Sequence, residues 1–208
     1  DLKFYDAINF MKAGIIHATA VNTVSENYAR EIHYPFYGEG LDGVIRQYDY
    51  KLSGIVNGID YSEWNPATDQ MIDQNYDINS IDKKVLNKLD IQFVLLGTGD
   101  YTYEEMFKYF ARKYPEKMAS RIYFGGAEAH KIYAASDFYL MPSISEPCGI
   151  SQLIAMRYGT LPIVREAGGL KDTVIPYNEY TGEGTGYSFS NINAHELLFT
   201  IKNAISIY

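Results

Sequence analysis

The chain has 208 residues, 47% apolar and 21% charged, which is ordinary for a globular protein and long enough to bury a core without disulfide staples. Against 18 basic residues stand 26 acidic ones; the formal charge of −8 counts against nonspecific nucleic-acid binding, and no apolar run approaches the ~20 residues that span a bilayer. The single cysteine, Cys148, cannot form an internal bridge and points to a reducing, cytoplasmic compartment, and the opening Asp1-Leu2-Lys3-Phe4-Tyr5-Asp6 does not have the form of a signal peptide.

Phe4, Ile8, Met11 and Ile15 recur three or four residues apart, so most of the first ~35 residues read as helical. Residues 20–24 interrupt them as a short strand, and Ser25 caps a second helix that carries Ala29 and Ile32. The glycine-rich residues 37–43 read as a loop, and 54–58 as a strand running into a turn. Residues 60–90 are polar and weakly patterned, with Asn65-Pro66 as a breaker. The pattern then sharpens. Strands are expected at 91–96, 121–124, Phe138–Met141, 161–164 and Tyr187–Phe189. Helices are expected at 103–114, 127–135 and 150–158, with a last one capped by Asn193-Ala194-His195-Glu196 and ending at Ile207. Strict alternation of strand and helix predicts an α/β fold, a parallel sheet with helices on both faces. Ligands of such sheets bind beyond the carboxyl ends of the strands, so the loops after Leu96, Phe124, Met141 and Val164 are the candidate sites.

The loop after Met141 reads Ser143-Ile144-Ser145-Glu146-Pro147-Cys148-Gly149-Ile150-Ser151-Gln152. It places one carboxylate, Glu146, at a strand's carboxyl end and a helix start, with its unpaired N–H groups around Ile150 and Ser151, just beyond. Such a start can hold a phosphate while Glu146 faces the neighbouring group; equally, Glu146 can be a plain helix-start charge. The paired Gly168 and Gly169 allow close backbone approach to a ligand, or simply a tight turn. Gly97-Thr98-Gly99-Asp100 lacks the third glycine of a dinucleotide fingerprint. The 4 histidines have no metal-ligand spacing, and no cofactor or metal is expected. Cys148, with no histidine beside it, reads as a small buried hydrophobe rather than a nucleophile. The 20 Tyr and 10 Phe hint at a sugar or nucleotide ligand, and fit core filling equally well.

The run S-E-P-C-G-I-S-Q-L-I-A-M-R-Y-G-T-L-P-I-V-R-E-A-G-G-L-K-D-T-V, Ser145 to Val174, resembles the signature of bacterial glycogen synthases and plant starch synthases. So do Val21-Asn22-Thr23-Val24-Ser25, Gly38-Glu39-Gly40-Leu41-Asp42-Gly43, Asn57-Gly58-Ile59-Asp60, Trp64-Asn65-Pro66, Leu96-Gly97-Thr98-Gly99-Asp100 and Ile132-Tyr133-Ala134-Ala135-Ser136-Asp137. The resemblance implies a Rossmann-like parallel sheet, one half of a two-Rossmann-domain retaining glucosyltransferase that moves glucose from ADP-glucose to an α-1,4-glucan. It implies that Glu146 faces the transferred glucose with Cys148 and Gly149 beside it, and that the Ile150 and Ser151 N–H groups hold the diphosphate. It also places Phe124 on the adenine, Asn57 at the sugar subsite, and Gly168 and Gly169 along the donor pocket.

By the same resemblance, residues 1–50 close an N-terminal domain and lead into the hinge, and residues 51–208 form the nucleotide-sugar domain. One departure stands out. The family carries a strand and an R-L-x-x-Q-K-G segment, whose Arg and Lys neutralise the donor phosphates, where Asp90 here meets Ile91 directly. A segment missing between 90 and 91 is expected. The alternative is a noncatalytic glucan- or nucleotide-binding fragment, or a degenerate relative without that pair of cations.

Overall fold

The computed structural model describes residues 2–88 and 92–208. The first part of the chain carries β1 (Lys3–Phe4), β2 (Ala7–Ile8), α1 (Phe10–His17), β3 (Val21–Thr23), α2 (Glu26–Glu31), α3 (Pro35–Gly38), α4 (Asp42–Gln47) and β4 (Leu52–Gly54). The second carries β5 (Phe93–Leu96), α5 (Tyr101–Lys113), β6 (Met118–Arg121), α6 (Gly126–Ala135), β7 (Phe138–Met141), α7 (Ser151–Arg157), β8 (Leu161–Arg165), α8 (Gly168–Thr173), β9 (Tyr187–Phe189) and α9 (Ala194–Ile207). The pairs β3–β4, β5–β6 and β8–β9 run parallel, and β7, β8 and β9 form one sheet in that order. The expected α/β class with parallel sheets and helices is what forms. The expected gap between Asp90 and Ile91 lies outside the described residues.

The chain divides into two compact units. One comprises Asp1–Gly58, Leu140–Leu153 and Pro162–Tyr208; the other comprises Ile59–Tyr139 and Ile154–Leu161. In the first unit, Phe4 and Ile8 sit in a small antiparallel hairpin, not a helix, with Lys3 opposite Ile8. The helix begins only at Phe10, because the Asn9 side chain accepts from Lys12 N–H at 2.9 Å and caps it there. The expected loop at 37–43 is mostly the end of α3 and the start of α4. Only Glu39 and Gly40 turn left-handed between them, at φ +50° and +79°. The expected strand at 54–58 forms two residues earlier, at Leu52–Gly54, because its partners are Val21, Asn22 and Thr23. Ile163 and Val164 of β8 are buried with Leu170 and Val174, as expected of a parallel strand covered on both sides.

In the second unit β6 lies three residues before its expected place. Its partner strand ends at Leu96, opposite Arg121, so the ladder stops there and Tyr123 and Phe124 fall outside it. The weakly patterned stretch from 60 to 88 folds largely through side-chain-to-backbone bonds, with one regular element, a 3-10 helix at Ile81–Asn87. Asn87 exchanges bonds with the Gln74 backbone at 2.9 and 2.8 Å, and Asn75 donates to the Pro66 and Asp69 carbonyls at 3.0 and 2.7 Å. Apolar packing centres on Ile72, Tyr76, Ala134, Ile154 and Tyr158. Beside it the Trp64 ring stacks on His130 at 4.0 Å, and His130 Nδ1 meets Asp69 Oδ2 at 2.7 Å. Burial pushes the Asp69 carboxyl up, but hydrogen bonds from Tyr158, Met71 N–H and His130 outweigh it and hold the group below its ordinary range.

Lys84 is another buried charged side chain of this unit. Its ammonium donates to the Tyr133 and Ala134 carbonyls at 3.1 and 2.9 Å, close to the C-terminal end of α6, and to Thr160 Oγ1 at 3.0 Å. Burial lowers its pKa from 10.5 to about 8, although the Asp137 carboxylate pulls the other way. Between those values the unfolded chain holds the proton and the folded one does not, so this group's contribution to stability rises with pH. Below the lower value both states are charged and the contribution is flat. We expect the unfolding free energy of the wild type, relative to Lys84→Met, to rise by about 1–2 kcal/mol between roughly pH 7.5 and 9.5. Urea titrations of both proteins at several pH values measure it; a difference that stays flat, or falls, overturns the expectation.

Candidate active site

Loop 142–150 leaves the carboxyl end of β7 and enters α7. Glu146 is half-buried, and Cys148 is buried with its Sγ accepting from the Asn57 N–H at 3.4 Å. Gly149 turns left-handed at φ +72°, and a Cβ there would lie 2.4 Å from Gln152 Oε1. The fully buried Gln152 side chain reaches back over this turn. Its Nε2 donates to the Cys148 and Gly149 carbonyls and to Thr173 Oγ1, each at 3.1 Å. Its Oε1 is buried without a hydrogen-bond partner. Ile150 is exposed at the head of α7, and the Ser151 hydroxyl donates to Met141 Sδ at 3.4 Å.

The glycine pair packs against this loop. A Cβ on Gly168 would fall 1.9 Å from the Glu146 carbonyl oxygen, and one on Gly169 would fall 2.4 Å from that of Cys148. Gly169 N–H donates to the Glu146 and Pro147 carbonyls at 3.2 Å each, and Gly168 sits at φ +43°. The pair is more than a simple turn: it forms the start of α8 and closely approaches a second stretch of the protein's own backbone. Gly168 N–H donates in turn to Glu31 Oε1 at 2.9 Å, which also accepts from Asn27. Asp172 accepts from Ser25 Oγ and Asn27 N–H, both at 2.8 Å, so α2 and α8 are joined by two carboxylates.

Eight of the nine residues singled out from sequence lie in the first unit: Asn57, Glu146, Cys148, Gly149, Ile150, Ser151, Gly168 and Gly169. Phe124 belongs to the other unit, three residues past β6, and its ring is 97% exposed. Sequence reasoning passed over Gln152, Thr173, Glu31 and Arg165, which hold the loop or its neighbours. The one available signal was a charged residue closing an apolar run, as Arg165 closes Leu161-Pro162-Ile163-Val164. Among the described residues no group of His, Cys, Asp and Glu is placed to hold a metal ion, and no helix is long and apolar enough to cross a membrane.

The close approach makes a direct prediction. Gly168→Ala combines a backbone clash with a left-handed φ, and each effect alone is worth about 1–3 kcal/mol. Melts and urea titrations are expected to show a loss of about 3 kcal/mol or more. Gly99→Ala is the control, since nothing lies within 4 Å of a Cβ there; it is expected to stay within about 0.5 kcal/mol of wild type. Equal losses at the two positions would contradict the packing described.

Residues 1–47 match the family model for the starch synthase catalytic domain, and residues 78–207 match that for glycosyl transferases group 1. The chain is 52% identical to a glycogen synthase of Finegoldia magna and 47% identical to one of Clostridioides difficile. Each alignment covers all of this chain and 52% of the relative. The chain therefore spans about half the length of the curated relatives it matches. Among solved structures, the catalytic domain of starch synthase IV from Arabidopsis thaliana, bound to ADP and acarbose, matches with a TM-score of 0.89 at 27% identity. That match covers 100% of this chain and 52% of the other. A sucrose-phosphate synthase from Thermosynechococcus elongatus shares the fold, with a TM-score of 0.56 at 18% identity over 94% of this chain and 51% of its own. The group 1 model alone spans well over half the chain, so the chain belongs to the group 1 glycosyl transferases, and along its whole length it is similar to bacterial glycogen synthases and a plant starch synthase.

Proposed function

We propose that this chain is the donor-binding half of a cytoplasmic glycogen synthase, which transfers glucose from ADP-glucose to the non-reducing end of an α-1,4-glucan with retention of configuration. The observation that carries the reading is the Glu146–Gly149 loop: the family's signature residues are present and are bound by backbone contacts on both sides. The ADP held by the Arabidopsis starch synthase supports an adenine nucleotide as the donor here.

In this reading the first ~50 residues close the N-terminal domain, and a segment is absent between Asp90 and Ile91. Alignment with the Finegoldia enzyme runs over 249 positions for a chain of 208, which supports at least 41 positions without a counterpart here. Peptide mapping across residues 86–93 tests this; an unbroken Asp90-Ile91 peptide from the natural protein favours the degenerate-relative reading instead. That second reading, a noncatalytic nucleotide- or glucan-binding protein, has one observation behind it: no Arg and Lys of the phosphate-binding segment stand between Asp90 and Ile91.

A nucleoside diphosphate is a good leaving group, so the reaction calls for charge stabilisation more than for a general acid. The N–H groups of Ile150 and Ser151 would receive the diphosphate, and Phe124 would stack on the base. Cys148, Gly149, Asn57 and the Gly168-Gly169 pair would shape the donor pocket. As the sugar's anomeric carbon becomes cationic, the Glu146 carboxylate would stabilise it more than it stabilises the ground state, acting as a charge and not as a covalent nucleophile.

Two variants of the full-length protein test these roles, with glucose transfer from ADP-glucose to glycogen as the assay. Glu146→Gln keeps the shape and removes the charge. We expect turnover to fall by roughly 10²-fold or more with little change in ADP affinity or Tm. Near-normal turnover would reduce Glu146 to a helix-start charge. Phe124→Ala is expected to raise KM for ADP-glucose about 5-fold or more, on the scale of one lost base–aromatic stack, while turnover changes less. An unchanged KM would leave the exposed ring without a nucleotide role.

A further inference from the structure

Arg165 is the last residue of β8 and is only 7% exposed. A buried guanidinium is expensive to desolvate and is tolerated where its N–H groups are all directed at acceptors. Here the acceptors are main-chain carbonyls. Nε donates to Ser143 O at 2.8 Å, one terminal nitrogen donates to Ile144 O, and the other reaches Ser190 O at 3.4 Å. Ser143 and Ile144 are the residues by which the chain passes from β7 towards Glu146. The far side of the same loop, 146–149, is held by Gly169 and Gln152. The Glu146 carboxylate therefore hangs from a backbone fixed before it by Arg165 and after it by the glycine pair.

From this geometry we infer that Arg165 is a positioning residue for the reaction: its guanidinium fork sets the approach of the loop and thereby the place of the Glu146 carboxylate. The inference rests on the glucosyl-transfer reading for its catalytic consequence, though not for the clamp itself. A charge that stabilises a transition state works only when held in place, within about 0.5 Å. The adjacent carbonyls of Ser143 and Ile144 need two N–H donors in a fixed fork; a lysine supplies one point charge on a flexible stem and cannot serve both in the same geometry. The groups assigned to the diphosphate lie on the other side of the loop, under the hold of Gln152. Loosening the Arg165 side is expected to lower turnover while leaving donor affinity nearly intact.

The experiment uses the full-length protein with Arg165→Lys, Arg165→Gln, Glu146→Gln and the Arg165→Lys/Glu146→Gln double variant. Three measurements are made: kcat and KM for ADP-glucose, the melt, and the rate at which a disulfide thiol reagent labels Cys148, with the site located by mass spectrometry. Cys148 is 3% exposed and rides on the same loop, so its labelling reports loop opening without any enzyme assay. Expected for Arg165→Lys are labelling at least 10-fold faster, kcat at least 10-fold lower and KM within about 3-fold of wild type. The double variant is expected to be no slower than Glu146→Gln alone, because the guanidinium acts through that carboxylate. Unchanged labelling in a folded Arg165 variant overturns the clamp. So does failure of both Arg165 variants to fold, which assigns the residue to the fold alone. Additive losses in the double variant overturn the route through Glu146. A wild type that does not transfer glucose, with labelling still faster in the variants, supports the clamp and removes only the glucosyl-transfer reading.

Discussion

The approach of the Gly168-Gly169 backbone to the Glu146–Cys148 backbone is the contact on which the candidate site depends. Two main chains lie so close that a single methyl group on either glycine would overlap a carbonyl oxygen. Backbone-to-backbone contact of this kind is rigid, because it involves no side-chain rotamer that could relax. It also explains why α8 begins where it does. Gly168 adopts a left-handed φ that a Cβ would penalise, and its N–H turns towards Glu31 while the next N–H turns towards the loop.

Around that contact the buried polar side chains are turned on main-chain acceptors and on one another. Arg165 and Gln152 donate to carbonyls of the loop, and Thr173 donates to the Gly169 carbonyl at 2.6 Å while accepting from Gln152. Each such bond adds little net stability, but removing one partner leaves a desolvated group behind. These side chains are thus well suited to fix geometry and poorly suited to substitution. Lys84 does the same in the other unit, where its ammonium meets the last carbonyls of α6 instead of a carboxylate.

Phe124 is the opposite case. It lies beyond the end of its strand with nearly its whole ring in solvent, so burial gives it no part in stability. The loop residues are over-determined by neighbours in their own unit, whereas this ring is held by its backbone position alone. The difference is between residues fixed by their packing and a ring presented to solvent.

The sequence by itself determined the alternation of strand and helix from Phe93 onward, the loop that carries Glu146, and two helix caps. Ser25 accepts from Tyr28 N–H at 2.8 Å and Asn193 from Glu196 N–H at 2.9 Å, as their spacing indicates. These features are local: periodicity and capping involve residues within a turn or two of each other. It misread Phe4 and Ile8, whose helical spacing is overridden by the Asn9 cap, and it put β6 three residues late, because the end of that strand is set by where its partner stops. Only the tertiary structure decided what the glycine pair touches, why Gln152 and Arg165 are buried, and which carbonyls they hold. Those partners lie about twenty residues away along the chain for the glycines and Arg165, and their approach is fixed by the packing of whole elements, which no local pattern of residue types records.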